Sequence, residues 1–93
     1  MRVVWTEGAA DDLAAIVEHI SRDSPDAARG VAKAIFDGIA TLASFPNIGR
    51  KRTKDSFREL VFPTVSYIAV YEVIEERIFI HGIRHTSRDW RDM

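Results

Sequence analysis

The sequence predicts an α+β fold: a two-layer β-α-α-β-β-β arrangement, with a helical hairpin packed on one face of a small, mainly antiparallel sheet. Three observations predict it. Two apolar stripes at helical spacing occupy the first half of the chain, split by Ser24-Pro25. Three β-branched and aromatic runs follow one another between Phe57 and His85. A shorter run of the same kind, Arg2 to Trp5, precedes the helices. Ninety-three residues, 46% of them hydrophobic, are enough for one domain with one core, spanning 1–93.

Arg2-Val3-Val4-Trp5 reads as a strand, with Trp5 in the core. Leu13, Ile16, Val17 and Ile20 recur at i, i+3, i+4 and i+7, a single apolar stripe on a helix that ends near Arg22. Glu7, Asp11 and Asp12 sit in its first turns, where carboxylates favour the helix dipole. Ser24 is an N-cap, Pro25 the first helical residue, and Asp26 an acid in the first turn. Ala28, Val31, Ile35, Ile39 and Leu42 form the second stripe, flanked by Phe36 and Phe45. The short link between the helices requires an antiparallel pair. Gly30 and Gly38 are expected to let the second helix approach the first closely.

Phe45-Pro46-Asn47-Ile48-Gly49 stops the second helix, and a polar loop without strand character runs on to Ser56. Strand signals resume at Phe57 and break at Phe62-Pro63-Thr64. Tyr67–Val73 and Arg77–Arg84 are expected to form a hairpin through Ile74-Glu75-Glu76. Alternation puts Tyr67 and Tyr71 on one sheet face as packing residues, and His81 on the face of Phe79 and Ile83.

The net charge of −1 conceals an uneven distribution. Residues 1–48 carry four cations against seven anions, and residues 49–93 carry nine against seven. From Asn47 to Arg58 there are five cations and one acid, Asp55. A solvated loop would account for such a run, and so would a grip on phosphate or on an acidic partner.

The absence of cysteine excludes disulfides, thiolate metal sites and a cysteine nucleophile. The three histidines lack metal-ligand spacing, and neither a nucleophile elbow nor a glycine-rich phosphate loop is present. No cofactor or metal is expected. No apolar run approaches the roughly 18 residues of a membrane span, so a soluble cytoplasmic protein without a membrane partner is expected.

The chain resembles the RelE/ParE superfamily of type II toxin–antitoxin toxins. The likeness covers nearly the whole sequence. It rests on Val4-Trp5 before Ala10-x-Asp12-Leu13-x-x-Ile16, and on Ser24-Pro25-x-Ala27-Ala28. It continues through Leu42-x-x-Phe45-Pro46-x-x-Gly49-Arg50, Arg58-Glu59-Leu60, Tyr67-x-x-x-Tyr71 and Ile80-x-x-Ile83-x-His85. The Ala-rich helical hairpin and the Phe-Pro-x-x-Gly-Arg turn are more similar to the ParE side.

The resemblance implies a toxin that binds DNA gyrase and is neutralised, in a hetero-oligomer, by a cognate antitoxin. The candidate target-binding residues are Arg50, Lys51, Arg52, Arg58, Arg84, His85, Arg88 and Trp90, expected to converge at one end of the sheet. Trp90 would either close the core or face the partner. The candidate antitoxin-binding residues are Leu13, Ile16, Ile20, Val31 and Ile35 on the hairpin.

Two alternatives remain open at this stage. One is a RelE-like, ribosome-dependent messenger RNA endoribonuclease, with His85 as proton carrier and Arg58 and Arg84 as phosphate clamps. RelE-like nucleases place a tyrosine just beyond the last strand, whereas Thr86-Ser87 follow His85 here. The other is a non-toxic homologue that serves as an antitoxin-binding co-repressor.

Overall fold

The computed structural model describes residues 1–87. The element order is β1 (Arg2–Trp5), α1 (Glu7–Ser21), α2 (Pro25–Thr41), β2 (Arg50–Lys51), β3 (Arg58–Val61), β4 (Tyr67–Ile74) and β5 (Arg77–His85). The five strands form one sheet in the order β1-β5-β4-β3-β2. Only the β1–β5 pairing is parallel; the others are antiparallel. The expected α+β architecture is present, with one strand more than the sequence pattern predicts. That strand, β2, lies within the segment expected to be loop. Its two residues pair Arg50 with Glu59 and Lys51 with Arg58, and two charged residues carry no hydrophobic alternation to announce a strand.

Each helix begins on a hydroxyl cap. The Thr6 side chain accepts from the Ala9 N–H at 3.2 Å, and Ser24 accepts from the Ala27 N–H at 3.1 Å. Thr6 also joins α1 to the sheet, since its N–H and hydroxyl both donate to the Ile80 carbonyl, at 3.2 and 2.7 Å. The two stripes meet the sheet as their periodicity requires. Leu13, Ile35, Ile39 and Leu42 pack with Leu60, Phe62, Ala69, Tyr71, Ile78, Ile80 and Ile83 in one buried cluster. Trp5 is half-buried against its margin. On the opposite sheet face Ile68 and Val70 are buried, with Phe57 packed on them.

Gly38 and Gly30 depart from expectation. A Cβ built on Gly38 would lie 2.6 Å from the Phe62 ring. The glycine therefore makes room for an aromatic of the sheet layer, not for the first helix. A Cβ at Gly30 would meet nothing within 4 Å, so packing gives no reason for that glycine.

The β4–β5 hairpin turns on two residues, Glu75 and Glu76, because Ile74 pairs with Arg77. Glu75 takes a left-handed φ of 57°, the sense that tight hairpins favour. Further along, Val70 pairs with Gly82 and Tyr71 with Ile80, so His81 is an extra residue on β5. This bulge inverts the alternation. Ile78 and Ile80 face the helices before it, and Ile83 does so after it. His81 consequently does not share a face with Ile83.

Replacing Gly30 by Ala should raise unfolding stability by about 0.5–1 kcal/mol, from helix propensity alone. The same change at Gly38 should lower it by about 1–3 kcal/mol, because the added Cβ would overlap the buried Phe62 ring and force it to shift. Urea denaturation of the two variants, compared side by side, checks this contrast.

Candidate functional site

One turn organises part of the set singled out from the sequence. After α2 the chain runs through Pro46 to Gly49, and the Tyr71 hydroxyl from the centre of β4 enters this turn. The phenol donates to the Pro46 carbonyl at 2.8 Å and accepts from the Gly49 N–H at 2.9 Å. A Cβ on Gly49 would sit 2.5 Å from the Tyr71 ring, so the turn closes over the tyrosine only with glycine there. Burial pushes the Tyr71 phenol above its ordinary value, and it stays protonated as its donor role requires. Arg58 binds the same turn, its Nη1 donating to the carbonyls of Asn47 at 3.2 Å and Gly49 at 2.9 Å.

Beyond this turn lies a basic edge. Arg50, Lys51, Arg52, Thr53, Lys54 and Glu59 line a shallow cleft of about 340 Å³. Glu59 is buried beneath Arg50, 3.6 Å away, and Asp55 lies 3.3 Å from Arg52. Arg52 also sits 6.0 Å from the centre of the Phe57 ring, which stacks on His81 at 4.6 Å. His81 in turn faces the Glu72 carboxylate at 3.0 Å, and the Ser56 hydroxyl donates to the other oxygen of Glu72 at 2.7 Å. Those contacts, the Ser56 bond foremost and then His81, hold the Glu72 carboxyl below its ordinary range. They fasten the loop before β3 onto the outer sheet face.

A second cluster lies at the other side of the sheet. A cleft of about 770 Å³ opens between α1 and the end of β5, with Asp12, Ile16 and His19 on one wall and Tyr67, Arg84 and His85 on the other. β1 pairs with β5 only as far as Ile80. Beyond that point α1 replaces it: Asp12 Oδ2 accepts from the Ile83 N–H at 3.0 Å and from Arg84 Nη1 at 2.5 Å. From the sequence Asp12 is assigned to the helix dipole, but with α1 starting at Glu7 it lies past the first turn, where that effect has faded, and it serves the strand end instead. Gly82 leaves the space through which the Arg84 guanidinium reaches it.

His85 meets Tyr67 edge-on at 5.1 Å, not Tyr71. Its Nδ1 accepts from the Ser87 N–H at 3.0 Å. In the neutral ring the proton therefore resides on Nε2.

Among the described residues the expected convergence of cations does not occur. Arg58 pairs with Tyr71 across one side of β4, and His85 with Tyr67 across the other. Four residues along a strand and two inter-strand spacings separate them, about 13 Å by about 10 Å. Arg50, Lys51, Arg52 and Arg58 form one group; Arg84 and His85 form another. Arg88 and Trp90 lie outside the described residues.

On the helical hairpin, Ile35 is wholly buried and offers no surface. Ile16, Ile20 and Val31 are half-buried. Leu13, largely buried, floors an apolar groove of about 560 Å³ walled by Trp5, Ala10, Ala14, Val17 and Phe36. Phe36 is 52% exposed and meets the Trp5 ring at 5.3 Å. Trp5 and Phe36 were read from the sequence as core and flank, so this groove was missed.

The sequence model for the ParE toxin of type II toxin–antitoxin systems, parDE, matches residues 3–90. The chain belongs to the ParE toxin family. Toxin RelE2 of Caulobacter vibrioides is 38% identical over 87 residues, covering 94% of this chain and 97% of that one. Y4kP of Sinorhizobium fredii is 34% identical over 89 residues, covering 96% and 92%. A solved structure from the chromosomal ParDE toxin–antitoxin system of P. aeruginosa superposes with a TM-score of 0.80 at 27% identity, over 91% of this chain and 95% of that one. Among the described residues no helix is long and apolar enough to cross a membrane.

Two outcomes follow for the turn and its neighbouring loop. Tyr71→Phe leaves the Gly49 N–H and the Pro46 carbonyl without their shared partner, and should cost about 1–3 kcal/mol in urea denaturation. Ser56→Ala should destabilise the fold near neutral pH by removing a bond to the Glu72 carboxylate. A carboxyl whose folded value is lowered contributes stability above its ordinary value of 4.5 and loses it as pH falls through the folded value. The gap between wild type and Ser56→Ala should therefore hold above pH 4.5 and narrow below it.

Proposed function

We propose that the protein is a type II toxin that acts by binding DNA gyrase, and that an antitoxin segment laid along the helical hairpin neutralises it. The observation that supports binding over catalysis is the separation of Arg58 from Arg84 and His85. A metal-free ribonuclease needs a proton carrier and phosphate clamps around one scissile bond. Here Arg58 is spent on the carbonyls of the turn, and Arg84 is paired with Asp12. His85 Nδ1 is engaged by the Ser87 N–H.

Gyrase is the target because the ParE side of the superfamily poisons it. Such a target implies a cytoplasmic site of action. Arg50, Lys51 and Arg52 on the basic edge, and Arg84 and His85 at the α1–β5 cleft, are then two separate contact regions.

The antitoxin reading is supported by the groove between Trp5, Leu13 and Phe36. An amphipathic segment fits it by apolar burial, and the structural relative comes from a ParDE toxin–antitoxin system. Phe36→Asp should weaken antitoxin capture at least about tenfold, equivalent to about 1.4 kcal/mol, measured by titration calorimetry.

The test of the target is direct. The purified chain should block gyrase supercoiling in vitro, and its expression without antitoxin should induce the DNA-damage response while messenger RNA stays intact. In-frame cleavage of ribosome-bound transcripts with supercoiling unaffected would overturn the reading in favour of the nuclease. Normal growth with neither effect would favour the non-toxic homologue.

A further inference from the structure

We propose that β1 is a docking strand for a second copy of this chain: two copies pair through it, antiparallel, about a two-fold axis at Val4. This contact depends on neither the gyrase nor the antitoxin reading.

β1 is the outer strand on one side of the sheet. The Arg2 N–H donates to the Glu76 carbonyl and the Thr6 N–H to the Ile80 carbonyl, both at 3.2 Å. With the parallel register, this alternation turns the backbone groups of Arg2 and Val4 towards β5. The N–H and C=O of Val3 and Trp5 therefore point away from the sheet, and no strand lies on that side. Sheets usually guard such an edge with charge, proline or a bulge. The opposite edge follows that rule, being the two-residue Arg50–Lys51. β1 does not. Val3-Val4-Trp5 is an uninterrupted run of strong strand formers, each only half-buried.

The edge is complementary to itself. With the axis at Val4, Val3 lies opposite Trp5 of the second copy, and Trp5 opposite its Val3. Both residues point their backbone groups outward, so each pair exchanges two hydrogen bonds, about four in all. Val3 and Trp5 also share the sheet face towards the helices, where both pack at the margin of the core. Each pair is thus an aromatic–β-branched contact, one of the favourable cross-strand combinations. Val4 meets its own copy on the axis, on the other face.

Charge completes the match. The neighbour of Arg2 in the register with β5 is Arg77, a like charge. Arg2 is exposed, as is Glu7 at the start of α1. Neither makes an ion pair among the described residues. In the antiparallel pairing Arg2 lies opposite Thr6 of the second copy, with Glu7 of that copy next along its chain. The axis repeats the arrangement, so the contact holds two Arg2–Glu7 combinations.

The experiment is sedimentation velocity of the purified full chain, tagged only at its C-terminus. A four-residue edge falls among the weak interfaces, so a reversible monomer–dimer equilibrium should appear between about 5 and about 500 µM. Val3→Pro removes an N–H that β5 does not use, and an edge strand tolerates proline in that orientation. It should weaken dimerisation at least about tenfold. Arg2→Glu and Glu7→Arg should each weaken it about three- to tenfold, because the axis makes every substitution count twice. The double variant Arg2→Glu/Glu7→Arg should return to within about twofold of wild type. Lys33→Gln, on the helical layer, should dimerise as wild type does. Amide exchange followed by NMR reads the register. The Val3 and Trp5 N–H groups should gain protection as concentration rises, whereas that of Val4, directed at β5, should not change. Thermal melts establish which variants fold, and the charge variants carry the test if Val3→Pro does not.

A chain that stays monomeric throughout the series would overturn the inference. So would dimers whose Val3 and Trp5 amides exchange as fast as in the monomer, or a double charge variant that dimerises no better than the single ones. Protection of those amides only when an antitoxin is added would assign the edge to that partner and equally remove the second copy.

Discussion

A phenol hydroxyl carried into the middle of a sheet core must find both a donor and an acceptor, or its burial costs more than the ring gains. In this protein the turn after α2 supplies both, and much else follows from that. The Tyr71 hydroxyl holds the Pro46 carbonyl and the Gly49 N–H, which fixes where the chain leaves the helical layer and where β2 begins. Arg58 binds two carbonyls of the same segment from the neighbouring strand. The Phe-Pro-x-x-Gly-Arg pattern acquires a physical meaning here. Pro46 helps to stop the helix and offers its carbonyl, Gly49 removes the Cβ that would strike the ring, and Arg50 opens the edge strand.

A second constraint acts at the opposite side. β1 is too short to accompany β5 to its end, so the last residues of β5 would present a bare edge with unpaired backbone donors. Asp12 of α1 takes one of those donors and anchors Arg84 at the same time. The bulge at His81 turns Ile83 towards the helices and places His85 against Tyr67. These local solutions set the α1–β5 cleft apart from the basic edge. The separation of the two regions weighs on function more than the identity of any one residue. A scissile phosphate needs its helpers within one small volume, whereas a macromolecular target can be held at two places.

Charge follows the same division. The helical layer matches its cations to acids three or four residues away, as helix geometry allows. In the β2–β3 segment Arg52 faces Asp55 three residues on, and Arg50 faces Glu59 across the strands.

The two helices and their stripes, the Ser24 cap, the three later strands and a first strand within an α+β fold were legible in the sequence. Each depends on a periodicity or a cap that operates within a few residues. Family membership was legible for the same reason, through the order of short motifs. The tertiary structure alone decided the rest. β2 exists because Glu59 and Arg58 lie opposite it. Gly38 faces Phe62, which lies in another layer. Ile35 is core, and Phe36 beside it lines a surface groove. Asp12 serves a strand end some seventy residues away in sequence. Whether two cations meet depends on strand order and register, which side-chain alternation along a single strand does not encode. That is the physical reason why the basic residues could be named from the sequence, while their division into two regions could not.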